Sequence, residues 1–122
     1  MRRARLALAV LALALPLILG ACGDTDEPAD TASGQETKTI DITIDGDSVT
    51  PNGDRVEVGV NQPIELVVKA DEAGEIHVHS DPEQELKYGV GTTTLPLEID
   101  KPGVVEVESH ALEKTIVQLE VE

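Results

Sequence analysis

The chain of 122 residues contains one cysteine, one tyrosine, no tryptophan, no phenylalanine and a single methionine at its start. One cysteine excludes any disulfide within the chain. Because that residue is Cys22, ahead of every patterned segment, the rest of the chain has no thiolate to act as nucleophile or metal ligand. Without Phe or Trp, a core must be packed from Val, Ile and Leu, and the 84 residues from Thr39 onward predict a small core of modest stability. Basic residues are also scarce, 9 against 24 acidic, for a net charge of −15. Such a surface repels nucleic acid and anionic lipid, which leaves cations and basic partners as its electrostatic complement. A solvated acidic face that merely keeps the protein soluble is the other reading. Catalytic signatures are missing as well. Ser48, Ser80 and Ser109 have no Gly-x-Ser-x-Gly context, and no phosphate-cradling glycine loop occurs. Asp45-Gly46-Asp47 departs from calcium-loop spacing at Val49, and Glu106 and Glu108 alternate with Val105 and Val107 as a solvent-facing strand would. Nothing here predicts an enzyme.

What is present begins with Arg2, Arg3 and Arg5, no acidic residue before position 22, and an apolar run from Leu6 to Leu19. This is the layout of a secretory signal over residues 1–21. The run is shorter than the ~20 residues a membrane-spanning helix needs, and Pro16 interrupts it, so cleavage is expected. Arg2-Arg3 lacks the remainder of a twin-arginine pattern, which leaves the general secretory route. The string Leu19-Gly20-Ala21-Cys22 resembles the lipobox of bacterial lipoproteins. That resemblance implies cleavage before Cys22, lipidation there, and residence on the outer face of a bacterial membrane. The alternative is an ordinary signal cut after Ala21 that leaves Cys22 as a free thiol. With the signal removed, 6 basic face 24 acidic residues on a mature chain of 101, a net −18. More than one acyl chain suffices for stable anchoring, so no further membrane-binding surface is required.

Residues 22–38 then form an acidic stretch without a large apolar side chain, which cannot order itself by burial. As a flexible tether, the segment from Gly23 to Lys38 spans about 20–24 Å root-mean-square. From residue 39 to 122 the pattern changes to strict alternation. Ile40, Ile42 and Ile44 are followed by Val56, Val58 and Val60, by Ile64, Leu66 and Val68, and by Ile76 and Val78. Leu95, Leu97 and Ile99, then Val105 and Val107, then Val117, Leu119 and Val121 complete the series. Period two means strands. Asp45-Gly46, Asn52-Gly53, Asn61-Gln62-Pro63 and Lys101-Pro102-Gly103 punctuate them as turns. The nearest approach to a helix is Pro82 to Lys87, read as a single turn. One all-β domain is predicted, a sandwich or barrel.

Three segments carry a family resemblance: Val49-Thr50-Pro51 followed by Val56 to Pro63, then Gly74-Glu75-Ile76-His77-Val78-His79, then Lys101-Pro102-Gly103 leading into Val104 to Val107. Together they resemble the cupredoxin-like domains of exported bacterial proteins, including those of iron-uptake lipoproteins, over roughly Lys38 to Glu122. The resemblance implies a Greek-key β-sandwich of about seven or eight strands. It also implies a copper ligand set of histidine, cysteine and methionine, most of which is missing. Ser109 or His110 stands where the family places its cysteine, and no methionine follows Met1. A blue-copper electron carrier is therefore not expected.

Three histidines remain. Alternation puts His77 and His79 on the face opposite Ile76 and Val78, about 6.5–7 Å apart along the strand. Two such imidazoles can approach one ion, with His110, Glu75, Asp81 or Glu83 as a third ligand. Imidazole with carboxylate suits Cu(II) or Zn(II). The sequence thus predicts a membrane-anchored binding module capturing such an ion, or alternatively a metal-free accessory module that docks a protein partner at the cell surface. Exposed histidines without a ligand fit the same pattern.

Overall fold

A computed structural model describes residues 34–122. The signal segment, Cys22 and the tether up to residue 33 lie outside the described residues. The alternating runs form nine strands: β1 (Lys38–Asp45), β2 (Ser48–Thr50), β3 (Asp54–Val58), β4 (Ile64–Ala70), β5 (Gly74–Val78), β6 (Gln84–Tyr88), β7 (Gly91–Leu97), β8 (Gly103–Ser109) and β9 (Lys114–Val121). No helix occurs among the described residues. The strands make two sheets, one of four in the order β2-β1-β4-β7 and one of five in the order β3-β9-β8-β5-β6. The chain crosses between them five times, and two of the pairings, β1 with β4 and β3 with β9, are parallel.

Each sheet turns one face inward because its apolar residues sit at every second position. The four-stranded sheet supplies Ile42, Ile64, Leu66 and Val68, and the five-stranded sheet supplies Ile76, Val78, Val107, Val117 and Leu119, all essentially without solvent contact. Burying each such side chain is worth about 1.5–3 kcal/mol relative to leaving it exposed. At one point the period slips. A bulge in the β8–β9 ladder sets Val107 opposite Val117 but Glu108 opposite Thr115. Ile116 is thereby the extra residue, and it and its neighbour Val117 are both buried.

Two elements differ from the sequence reading. Pro82 to Lys87 is not a helical turn: Gln84 to Tyr88 is an edge strand paired antiparallel with β5, its Gln84, Leu86 and Tyr88 turned inward and its Glu85 and Lys87 outward. Ser48 to Thr50, three residues paired with the end of β1, adds the other unanticipated strand. Tyr88 closes the end of this hairpin. It is paired in register with Gly74, where a Cβ would collide with the tyrosine hydroxyl, so only glycine fits. Burial pushes the Tyr88 phenol above its ordinary value, with the nearby Ser109 hydroxyl opposing the rise.

Candidate metal centre

Strand β5 buries Ile76 and Val78 completely, and alternation sends Glu75, His77 and then His79 to the outer face of the five-stranded sheet. Cross-strand register decides what they meet. His77 lies opposite Glu85 on β6 and opposite Glu108 on β8, so one row across three strands reads carboxylate, imidazole, carboxylate. His79 continues this geometry past the end of β5, its backbone N–H donating to the Glu106 carbonyl at 2.9 Å.

The side chains converge accordingly. His77 Nε2 is 2.9 Å from Glu75 Oε1 and 4.0 Å from Glu85 Oε1, while its Nδ1 is 3.7 Å from Glu83 Oε1. Ligand atoms of Glu75, His77 and Glu85 all lie within 4.8 Å of one another. His79 has a separate set: Nε2 is 3.0 Å from Glu108 Oε2, and Nδ1 is 3.6 Å from Glu83 Oε2. His110, in the turn after β8, lies against His77 with ring centroids 4.5 Å apart and planes 31° from parallel. Its backbone N–H donates to the Glu75 carbonyl at 3.0 Å, which fixes the turn against β5.

The hydrogen bond to Glu75 is the main cause that raises the His77 imidazole above its ordinary value of 6.5; partial burial opposes it, and the charges of Glu75, Glu85 and Glu83 add to the rise. Carboxylates that hold a proton on an imidazole can equally accept a divalent cation in its place. A cation at His77 would take the Nε2 lone pair together with oxygens of Glu75 and Glu85, a nitrogen-and-oxygen donor set suited to Zn(II) or Cu(II).

Of the residues singled out from sequence, His77, His79, Glu75 and Glu83 come together on this face, and His110 stacks at its edge. Asp81 does not join them. Its carboxylate is 2.7 Å from Lys101 Nζ, a bond that lowers the acid below its ordinary value and raises the lysine. Glu85 and Glu108 were missed, because their place depends on hairpin register rather than on proximity in sequence. Ser109 turns inward at the end of β8 and is fully buried, its hydroxyl close to the Tyr88 phenol.

No family model matches the sequence, and no curated protein matches it. Solved structures do. A purple cupredoxin from Nitrosopumilus maritimus aligns over 70% of this chain and 99% of its own, with a TM-score of 0.50 and 13% identity. The fold is cupredoxin-like. Reduced auracyanin from Roseiflexus castenholzii aligns over 73% of this chain and 99% of its own, at a TM-score of 0.50 and 12% identity. A multi-copper oxidase from Pediococcus acidilactici covers 78% of this chain with 28% of its own, at a TM-score of 0.52 and 13% identity. At these identities the likeness concerns the cupredoxin-like fold itself.

Proposed function

We propose that this cupredoxin-like domain captures a divalent transition-metal cation, Cu(II) or Zn(II), on the outer face of its five-stranded sheet. The observation that carries the reading is the convergence of Glu75, His77 and Glu85, with ligand atoms within 4.8 Å of one another. His77 would supply the nitrogen ligand, Glu75 and Glu85 the charge that offsets the ion, and His110 a stacked ring that holds the imidazole in place. The names of the solved neighbours, cupredoxins and a multi-copper oxidase, support copper as the first ion to try. The proposed role is capture and not electron transfer, since the tightly held blue-copper geometry requires a thiolate and the only cysteine is Cys22.

Cys22 has a different place in the proposal. Cleaved and acylated there, the protein would sit on the outer face of a bacterial membrane, the acidic tether holding the domain just clear of the headgroups. Fatty-acid labelling of cells that express the chain, with Cys22→Ala as control, tests this: label on the alanine variant overturns it. The metal reading is tested by isothermal titration of Cu(II) and Zn(II) into the full chain held in detergent. Stoichiometric binding tighter than micromolar, weakened by His77→Ala, is the expected result. Weak multi-site heat that His77→Ala leaves unchanged overturns capture and turns attention to a protein partner for the same acidic face.

A further inference from the structure

Four strands end a sheet, β2 and β7 in one and β3 and β6 in the other, and three of them are guarded against a further strand. Strand β2 has only three residues, β7 carries Pro96 with no N–H to offer, and on β3 the Arg55 guanidinium is already held by Glu120. Strand β6 has none of these guards. Lys87, a residue type that often shields such an edge, stands here two positions from Glu85 and on the same face. The backbone of β6 is open as well. The Glu75 carbonyl accepts from the His110 N–H and the His79 N–H donates to the Glu106 carbonyl, so the odd-numbered residues of β5 direct their backbone groups toward β8. Gly74, Ile76 and Val78 therefore bond to β6, where they engage Tyr88, Leu86 and Gln84. Glu85 and Lys87 are left with N–H and C=O groups directed away from the sheet.

We infer that a second copy of this chain docks on that edge, β6 against β6 antiparallel about a two-fold axis at Leu86, joining two five-stranded sheets into one. The strand is its own complement in this register. Glu85 of each copy falls opposite Lys87 of the other, and these are the two residues whose free backbone groups can exchange four hydrogen bonds. Lys87 has no ion-pair partner among the described residues, and Glu85 comes no nearer than 4.0 Å to His77, so both side chains are available. Glu83 falls opposite Gly89, so no like-charge pair forms. On the inner side Leu86 meets Leu86 of the second copy as a pair without mutual hydrogen bonds, the Cα atoms about 4.5 Å apart. Each Leu86 is only half-buried because the core ends there, and the other covers it. The net negative charge of the two copies acts at a range that salt screens, about 8 Å at physiological ionic strength, whereas the Glu85–Lys87 pairs are in contact. The inference does not rest on metal capture.

The test is sedimentation equilibrium of the full chain in density-matched detergent, with a chelator present so that metal plays no part. An edge of five residues makes a small interface, and the wild type is expected to dimerise with a dissociation constant between about 10 µM and 1 mM. Lys87→Glu and Glu85→Lys each put like charges opposite one another, and each is expected to weaken the dimer by about tenfold or more. Mixed together, these two variants are complementary at every charged position and are expected to pair at least as well as the wild type. The double exchange Glu85→Lys with Lys87→Glu is expected to self-associate again. All four proteins share the same detergent, so a difference among them comes from the strand and not from the micelle. A wild type that stays monomeric up to about 1 mM overturns the inference, as does self-association that neither single variant weakens. Loss in the single variants without recovery on mixing overturns the register about Leu86. Unchanged melting temperatures of the single variants show that a lost dimer is not a lost fold.

Discussion

The two sheets of the sandwich are alike inside and different outside. Inward, both present Ile, Val and Leu at every second residue, and neither half of the core has an aromatic besides Tyr88 at its rim. Outward, the four-stranded sheet shows Thr39, Thr43, Thr92 and Thr94 among charges of both signs, Asp41, Asp45, Glu65 and Lys69, while the five-stranded sheet gathers Glu75, His77, Glu85 and Glu108 into one row and its neighbours. Threonine on a strand face satisfies β-propensity and water together and does no further chemistry. On the Glu–His face the pairs of Glu75 with His77 and of Glu108 with His79 offset part of the repulsion among the carboxylates.

That contrast can be broken in four ways, from the largest effect to the smallest. First, the inner faces are equivalent: Leu66→Ala in one sheet and Leu119→Ala in the other are each expected to cost about 2–5 kcal/mol in urea unfolding. A cost confined to one sheet would show that only half of the core carries the fold. Second, the outer faces are not equivalent. Zn(II) at about one hundred times its dissociation constant is expected to stabilise the wild type by about 2.7 kcal/mol. Thr94→Ala on the four-stranded sheet leaves that increment intact, and His77→Ala removes it; a loss from the threonine variant would contradict the assignment of the site.

Third, pH separates the faces. Glu75 holds the His77 imidazolium above 6.5, so in the metal-free protein its protonation contributes stability that is fully present below 6.5 and is lost as pH rises through the higher folded value. Metal binding runs the opposite way. It needs the neutral ring, so affinity weakens as pH falls through the same raised value, by about tenfold per pH unit below it. Glu75→Gln is expected to move the midpoint of this loss down toward 6.5, as read by titrations from pH 8 to 5, and an upward or absent shift refutes the coupling. Fourth, an ion pair away from the site contributes little: the exposed Arg55–Glu120 pair, 2.7 Å apart, is expected to give about 0.2–1 kcal/mol on Arg55→Ala and no change in metal stoichiometry.

Legibility followed the same division. The inner faces could be read from the chain because Ile40-Ile42-Ile44, Ile64-Leu66-Val68 and Val117-Leu119-Val121 repeat a single rule, and each of these residues is buried. Strand β6 could not, since only Leu86 and Tyr88 mark its inward side and the Glu and Lys between them are ordinary helix formers; pairing with β5 overrides that local preference. The histidine spacing was visible, and so was the nearness of Glu75 and Glu83 in sequence. Glu85 reaches His77, and Glu108 reaches His79, only through the register of the β5–β6 hairpin and of β8 on β5, which no local pattern encodes. Asp81 illustrates the converse. Two residues from His79 in the chain, it is claimed by Lys101, a partner that only the folded turn brings near.

The parallel pairing of β3 with β9 sets the order of events when the chain folds. Residues 54–58 have no partner in the five-stranded sheet until residues 117–121 arrive, and β9 also carries the long ladder to β8. Loop-closure entropy must be met across more than sixty residues before that ladder gives anything back, which makes the domain a slow folder governed by distant contacts. During synthesis the β5–β6 hairpin can form early, with His77 beside Glu85, yet β8 and its Glu108 are locked in place only once the final strand docks. The Glu75–His77–Glu85 cluster lies wholly on that early hairpin, whereas the contact of Glu108 with His79 waits for the final strand, and a chain shortened before β9 would be a target for proteolysis.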